Sequence, residues 1–480
     1  MHTSITAHGA QTGRLSTTSI QAAIDAVAAD GGGQVLVPPG EWLTGMIRLK
    51  DRVRLHLDAG AVLRASGRVE DYAQREDLAQ APYCDVSGSG HGKFHLILAD
   101  HCRDIAITGL GRIDGNGTAF YTPGAALSWP LATDNKRRMR SCVEISHCTN
   151  VLIEDVTIGN TCNWTLHLHE SDIVRVRGVR IDNPGNAPNA DGIDIGGCRG
   201  VTISDCHINT CDDAICLKTY PGGRSCEDIA VSNCVIRTHC VALKLGCLES
   251  FADMRNVVFS NCTVRGSHRA VGIYSLHGGH IENIQVVNVV CDTCLPLMFT
   301  RPIHIDVRCK TPGTGQGSIR NVLIAGLTAT TTGRILLTAA PGFTASDIRL
   351  RDITLRYVAV DDPAIRGTVV GGSQFSNANP WARSERAALV AENIQDLDIQ
   401  GLNVRWPTGP TPNAWRFPQK MANGAHDLYH PSDWGEDTEF PFAAVSARGV
   451  TGGRLVSAGL SGRGGAQAVR SEQCQGFSVV

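Results

Sequence analysis

The sequence predicts an all-β solenoid, a parallel β-helix with a capping helix at its N-terminal end, built as a single domain over residues 1–480. Three observations carry the prediction. First, one pattern recurs: Asn, Asp or Gly, an alternating apolar run, a small turn, then a second alternating run. Its copies include NVLIEDVTI from Asn150, DIVRVRGVRI from Asp172, GVTISDCHI from Gly200, DIAVSNCVI from Asp228, NVVFSNCTV from Asn256 and NIQVVNVVC from Asn283. Those starting positions are 22, 28, 28, 28 and 27 residues apart. Second, each copy holds two or three short strands of period-2 alternation, separated by Asn-, Asp-, Gly- and Ser-rich turns, and no helical pattern intervenes. Third, 52 glycines and only 5% aromatic residues suit many tight turns around a core without large rings.

The elements follow in order. Residues 1–50 form the N-terminal cap. STTSIQAAIDAVAADGGG puts Ile20, Ile24 and Val27 on one helical face, offers Thr18 with Gln21 as a capping box, and stops at Gly31–Gly33. QVLVPPG and VRLHLDAGAVL read as the first strands. Coils occupy about 51–405, with an early copy at Asp104 and later ones at Asn321, Asp347 and Asp396. One coil cannot bury its apolar face alone; stacking coils about 4.8 Å apart lines up equivalent side chains as ladders. Cys206, Cys234 and Cys262 share one repeat position and are expected to pack inward as thiols, because a parallel ladder gives poor disulfide geometry. Residues 406–480 hold a Pro- and aromatic-containing excursion, Trp406 to Pro441, and the last strands.

Charge excludes some partners. With 44 basic and 46 acidic residues the net charge is -2, and no Lys/Arg block suggests a nucleic-acid or anionic-membrane surface. KRRMR, Lys136 to Arg140, reads as a solvated loop. No stretch approaches the ~20 apolar residues of a membrane span, and the first residues lack a basic-then-apolar leader pattern. Eighteen cysteines, many at apolar strand positions, are expected to be reduced, which points to the cytoplasm. No metal or other cofactor is expected. CDTC at Cys291 lacks a second ligand pair, and His167 and His169, alternating on one strand, have no evident third ligand.

Candidate chemistry lies in four successive coils. Aligning NADGIDI, CDDAICLK, THCVALKLG and SHRAVGIYS places Asp191, Asp213, His239 and Arg269 in one column, with Asp212 beside Asp213. Three carboxylates on adjacent rungs repel one another, raising at least one pKa. Acid/base chemistry at a glycosidic bond needs such a set, and rungs about 5 Å apart with divergent side chains fit either the inverting spacing of about 6.5–9.5 Å or the retaining one of about 5–5.5 Å. Read singly, an Asp before Gly is a turn residue and a DD pair a solvated one. Two other functions fit the fold: a lyase whose acids hold calcium, and a non-catalytic carbohydrate-binding β-helix. Trp164, one rung before Asp191, and Tyr274 could stack on a sugar, and Arg301 could reach a sugar carboxylate.

At these residues the chain resembles glycoside hydrolase family 28, the polygalacturonase-like enzymes, especially the bacterial branch. The likeness extends over ITAHGA, SIQAAIDAVAADGGGQVLVPPGEWLTGMIRLK, LHLDAGAVL, GRIDGNG and the central coils. It implies a right-handed parallel β-helix that hydrolyses pectin-type glycosidic bonds with inversion and without a metal. NADG matches the family's Asn-Thr-Asp-Gly and implies site roles for Asn189 and Asp191. CDD matches Gly-Asp-Asp, implying Asp212 as general acid and Asp213, with Asp191, as the groups that activate water. THC matches Gly-His-Gly, implying that His239 tunes the acid or contacts substrate. The family's Arg-Ile-Lys, which binds a galacturonate carboxylate, is replaced by Gly272-Ile273-Tyr274. Arg269 or Lys244 could compensate, or the sugar is neutral or differently decorated. The expected partner is therefore an oligosaccharide or polysaccharide, pectin-related or otherwise plant-type, attacked from a chain end, because a cytoplasmic enzyme meets imported short chains.

Overall fold

The computed structural model describes residues 1–73, 92–123, 132–134, 138–294, 300–358, 379–407, 419–420, 427–428 and 442–480. These fall into two compact units, one ending at Ile236 and one beginning at Arg237. Each is a stack of coils whose strands pair in parallel, the right-handed parallel β-helix. Among the described residues, no helix is long and apolar enough to cross a membrane. The 406–441 excursion lies almost wholly outside the described residues.

In the first unit the helix Thr17–Ala29 buries Ile20, Ala23, Ile24 and Val27 against the first coil. The capping box is not formed. Ser16 is the N-cap, and its hydroxyl donates to the carbonyls of Gln11 and Arg14 instead of capping the helix. Gln21 exchanges hydrogen bonds with the backbone of Arg48, stitching the helix to the coil, so its amide serves a tertiary contact rather than the helix start. Gly33, at φ 143°, passes so close to Met1 that an added Cβ would lie 1.8 Å from the Met1 carbonyl oxygen.

Each coil of the first unit contributes up to three strands. One ladder holds His95–Asp100, Ser141–Ser146, Trp164–His169, Ile193–Gly196 and Ile215–Thr219. A second runs through Arg103–Thr108, Thr149–Glu154, Asp172–Arg177, Arg199–Ser204 and Cys226–Ser232. A third, shorter ladder runs through Arg112–Asp114, Thr157–Gly159, Arg180–Asp182 and His207–Thr210. Val151, Val174, Val201 and Ile229 pair in one apolar column, each no more than 1% exposed. The turn before the second ladder explains the repeat's leading Asn and Asp: Asp104, Asn150, Gly200 and Asp228 all take left-handed φ between 57° and 63°. Those are residue types that tolerate that region. The Asp172 copy departs by one residue. Val151 pairs with Val174, so Ile173, φ 56°, stands where Asn150 stands.

The second unit repeats the design. One ladder joins Val241–Ser250, Arg269–Ser275, Arg301–Val307, Ile335–Ala339, Ala387–Glu392, Ala443–Arg448 and Val469–Glu472. The other joins Met254–Ser260, His280–Thr293, Ser318–Thr331, Thr344–Tyr357, Gln395–Gln400 and Thr451–Leu455. Cys206, Cys234 and Cys262 are buried free thiols, each donating to the carbonyl two residues before it. All cysteines among the described residues are free.

Candidate active site

Parallel register builds the acidic cluster of the first unit. Ile193 pairs with Ile215, which sets Asp191 level with Asp213 just before their strands. The Gly192 N–H donates to the Asp213 carbonyl at 2.8 Å. Glycine is required there, since a Cβ would lie 2.4 Å from the Ala214 carbonyl oxygen. Asp212 is half-buried, while Asp191 and Asp213 are each 3% exposed. The Asp212 carboxylate accepts the Asp213 N–H at 2.9 Å, and carboxylate oxygens of the two residues lie within 4.8 Å of each other.

Lys218 was not among the residues expected here. Its ammonium donates to Asp191 Oδ2 at 3.0 Å and lies 3.1 Å from Asp194 Oδ1, with all three groups buried. Burial pushes the Asp191 carboxyl well up, Lys218 opposes the shift, and Asp194, Asp212 and Asp213 add to it. Burial also raises Asp194, against Lys218 and His167. The same ammonium stands 3.8 Å from the centre of the Trp164 ring, and the Arg140 guanidinium lies 4.7 Å from that ring. Trp164 is thus 3% exposed and holds Lys218 in place by its π face. Beneath, His167 links Glu144, 2.9 Å from Nδ1, to the Tyr220 hydroxyl, 3.0 Å from Nε2. Burial works to raise Glu144, but the charges of His167 and His95 hold it well below the usual carboxylate range.

Asn189 takes a left-handed φ of 51°, and its Oδ1 accepts from Arg138 at 3.1 Å. Arg138 also donates to the carbonyls of Cys162, at 3.0 Å, and Pro188, at 2.7 Å, clamping the turn that precedes Asp191. The solvated loop expected at 136–140 is therefore corrected for its described residues. Arg138 and Arg140 are 0% exposed, because fixed carbonyls and an indole face replace water around them.

In the second unit, Val241 pairs with Arg269 and Leu243 with Val271. This corrects the expected column: Arg269 stands two residues further along than His239. His239 is half-buried beside His268, whose pKa is pushed well down by burial, then by Arg269 and His239. Lys244, Gly272 and His304 share one level of the ladder, as do Arg269 and Arg301. The Tyr274 ring folds over Gly272, so that a Cβ on that glycine would lie 2.6 Å from it. The ring also meets His304 edge-on at 4.9 Å. Burial pushes the Tyr274 hydroxyl up to about 12, with Arg269, Arg301 and Lys244 pulling the other way. Three cations thus act on one buried phenol, which is 1% exposed. Arg301 also meets His304 Nδ1 at 3.2 Å.

The structure brings together Trp164, Asn189, Asp191, Asp212 and Asp213 in the first unit, and Lys244, Arg269 and Tyr274 in the second. Lys218, Asp194, Arg138 and the Glu144–His167–Tyr220 chain were not foreseen. For Lys218 a signal existed: a lysine inside a five-residue strand that is otherwise apolar or small needs a buried counter-charge.

A model of the glycosyl hydrolases family 28 matches residues 36–369. A probable polygalacturonase of Vitis vinifera is 30% identical over 213 residues, 43% of this chain and 41% of that protein. The aligned part is thus well under half of that relative's length. Two solved structures share the fold. An exopolygalacturonase from Thermotoga maritima has a TM-score of 0.63 at 21% identity, covering 84% of this chain and 92% of that one. A family 28 exopolygalacturonase of Yersinia enterocolitica has a TM-score of 0.62 at 16% identity, covering 86% and 76%.

Proposed function

The chain belongs to the glycosyl hydrolases family 28, and from that premise we propose that it hydrolyses pectin-related or other plant-type oligosaccharides with inversion, from a chain end. The observation that carries the proposal is the set of differing environments around one acidic cluster. Asp191 is buried against an ammonium, Asp213 is buried level with it, and Asp212 is half-buried beside them. Carboxyl groups in unlike surroundings can divide acid and base work. Asp212, the more accessible, is assigned as the general acid that protonates the leaving oxygen. Asp191 and Asp213 hold and deprotonate the attacking water, and Asn189, fixed by Arg138, orients the turn that carries Asp191.

For the substrate, positive charge is the guide. Gly272 and Tyr274 occupy the positions where the family's motif carries two cations, yet Lys244, Arg269 and Arg301 all act on the Tyr274 hydroxyl from neighbouring positions. That charge favours a sugar bearing a carboxylate over a neutral one, with His239 as a further substrate contact and Trp164 setting the site through Lys218. Exo action is supported by the two solved relatives described as exopolygalacturonases. Buried free thiols suit a reducing compartment, and we place the enzyme in the cytoplasm, where short imported chains are the available substrate.

The test is Asp212→Asn, assayed on uronic and neutral oligosaccharides. Turnover of the preferred substrate is expected to fall by about 10²–10⁴-fold, the usual contribution of one acid/base group, with binding by calorimetry largely kept. Unchanged turnover removes Asp212 from the mechanism, and an unsaturated product would replace hydrolysis with elimination.

A further inference from the structure

A second constellation of ligating side chains lies at the other end of the first unit's strands, outside the acidic cluster. We infer that His147, His169 and Glu170 form a binding site for a divalent transition-metal ion of the zinc class. The coils build it from one strand-end residue, His169, and two turn residues, His147 and Glu170. Ser146 pairs with His169 in parallel register, and the His147 N–H donates to the His169 carbonyl at 2.9 Å, which brings the three residues onto neighbouring rungs. Left-handed φ values of 52° at His147 and 42° at Glu170 carry both side chains out of the strand alternation.

The geometry fits one ion. One ligand atom from each residue lies within 4.8 Å of the other two. His147 Nε2 and Glu170 Oε2 are 3.5 Å apart. Zinc bonds of about 2.0–2.2 Å in a tetrahedron place ligand atoms about 3.3–3.6 Å from one another. The imidazoles of His147 and His169 stand 5.2 Å apart at 86°, edge to face, so in-plane lone pairs from the two rings can converge on one point. A neighbouring triple, Asp100, His101 and His147, meets the same distance limit but not this condition. There the rings of His101 and His147 are stacked at 4.6 Å and 11°, and lone pairs in parallel planes do not meet.

The outer contacts also suit a metal. His147 Nδ1 lies 2.9 Å from the Ser146 hydroxyl and 3.6 Å from Asp100 Oδ1, so a carboxylate backs the ring nitrogen that would not bind the ion. Glu170 Oε1 accepts the Arg224 N–H at 3.0 Å, which leaves Oε2 toward His147. Such supporting groups orient ligands and raise their basicity. The His147 side chain is 39% exposed and that of Glu170 17%, which gives an ion access from solvent. Two histidines and one carboxylate are a donor set used by zinc.

Cobalt(II) titration of the metal-free full chain, read by its visible spectrum, tests this, with zinc displacement followed by calorimetry. One equivalent per chain is expected, with a nitrogen/oxygen-type spectrum and no thiolate charge-transfer band, which separates this site from the many cysteines. His147→Ala and Glu170→Gln are expected to weaken binding at least about 100-fold, and Asp100→Asn about 10-fold. His101→Ala is expected to leave it unchanged, and circular dichroism checks that each variant keeps its β signature. The assignment is overturned by any of three results: no saturable binding, a thiolate band, or full affinity in a folded His147→Ala chain.

Discussion

Lys218 stands 3.0 Å from Asp191 and 3.1 Å from Asp194, and one buried ammonium between two buried carboxylates fixes the charge of the whole cluster. In the proposed mechanism Asp191 serves as a base, which requires it to be ionised. Burial raises its pKa and Lys218 lowers it, so activity should fall as pH drops through a value above the ordinary aspartate range. Replacing Lys218 with Met removes the lowering influence, and the acid limb of kcat/KM is expected to move to higher pH. Stability should fall by roughly 3–5 kcal/mol, because the carboxylates stay buried without their counter-ion. Lys218→Arg should restore part of both. An acid limb that does not move in Lys218→Met would leave Lys218 with a packing role only. At this scale the sequence was partly legible. The repeat period put Asp191 and Asp213 on one level. Arg269 was placed two residues wrong because a slip of two preserves every inward and outward side chain, so alternation cannot detect it. Arg138 was missed because a loop residue that reaches back to carbonyls leaves no periodic trace.

The turns decide the coil. Asp104, Asn150, Gly200 and Asp228 hold the left-handed corner with residue types that tolerate it, and the Asn150 amide bonds to Asp104 at 2.7 Å across the rungs. Ile173 holds the same corner with a β-branched side chain that is 56% exposed, so it gains little burial for the strain. A left-handed conformation costs an ordinary residue roughly 1–2 kcal/mol. Ile173→Asn is therefore expected to stabilise the protein by about 1 kcal/mol, seen as a higher urea midpoint with an unchanged slope. A lower midpoint would mean that Ile173 makes contacts worth more than its strain. The coils and capping helix were legible because apolar spacing and turn residues agree. The helix start and the Asp172 copy were misread by a residue or two, since side chains there are recruited by tertiary partners.

Over the whole molecule, the solenoid turns short sequence intervals into neighbouring rungs, and both constellations of the first unit arise that way. The acids come from the strand starts. His169 closes its strand, and His147 and Glu170 come from the turns just after strands, where no sequence motif marks them. The proposed reaction is a direct displacement by water, and its stereochemistry is its most direct signature. The measurement is an NMR time course of the first product released from an acidic oligosaccharide substrate. The newly formed reducing end should appear first with the anomeric configuration opposite to that of the cleaved bond, before mutarotation. Appearance first of the retained anomer would contradict the assignment of Asp191 and Asp213 as the groups that activate water.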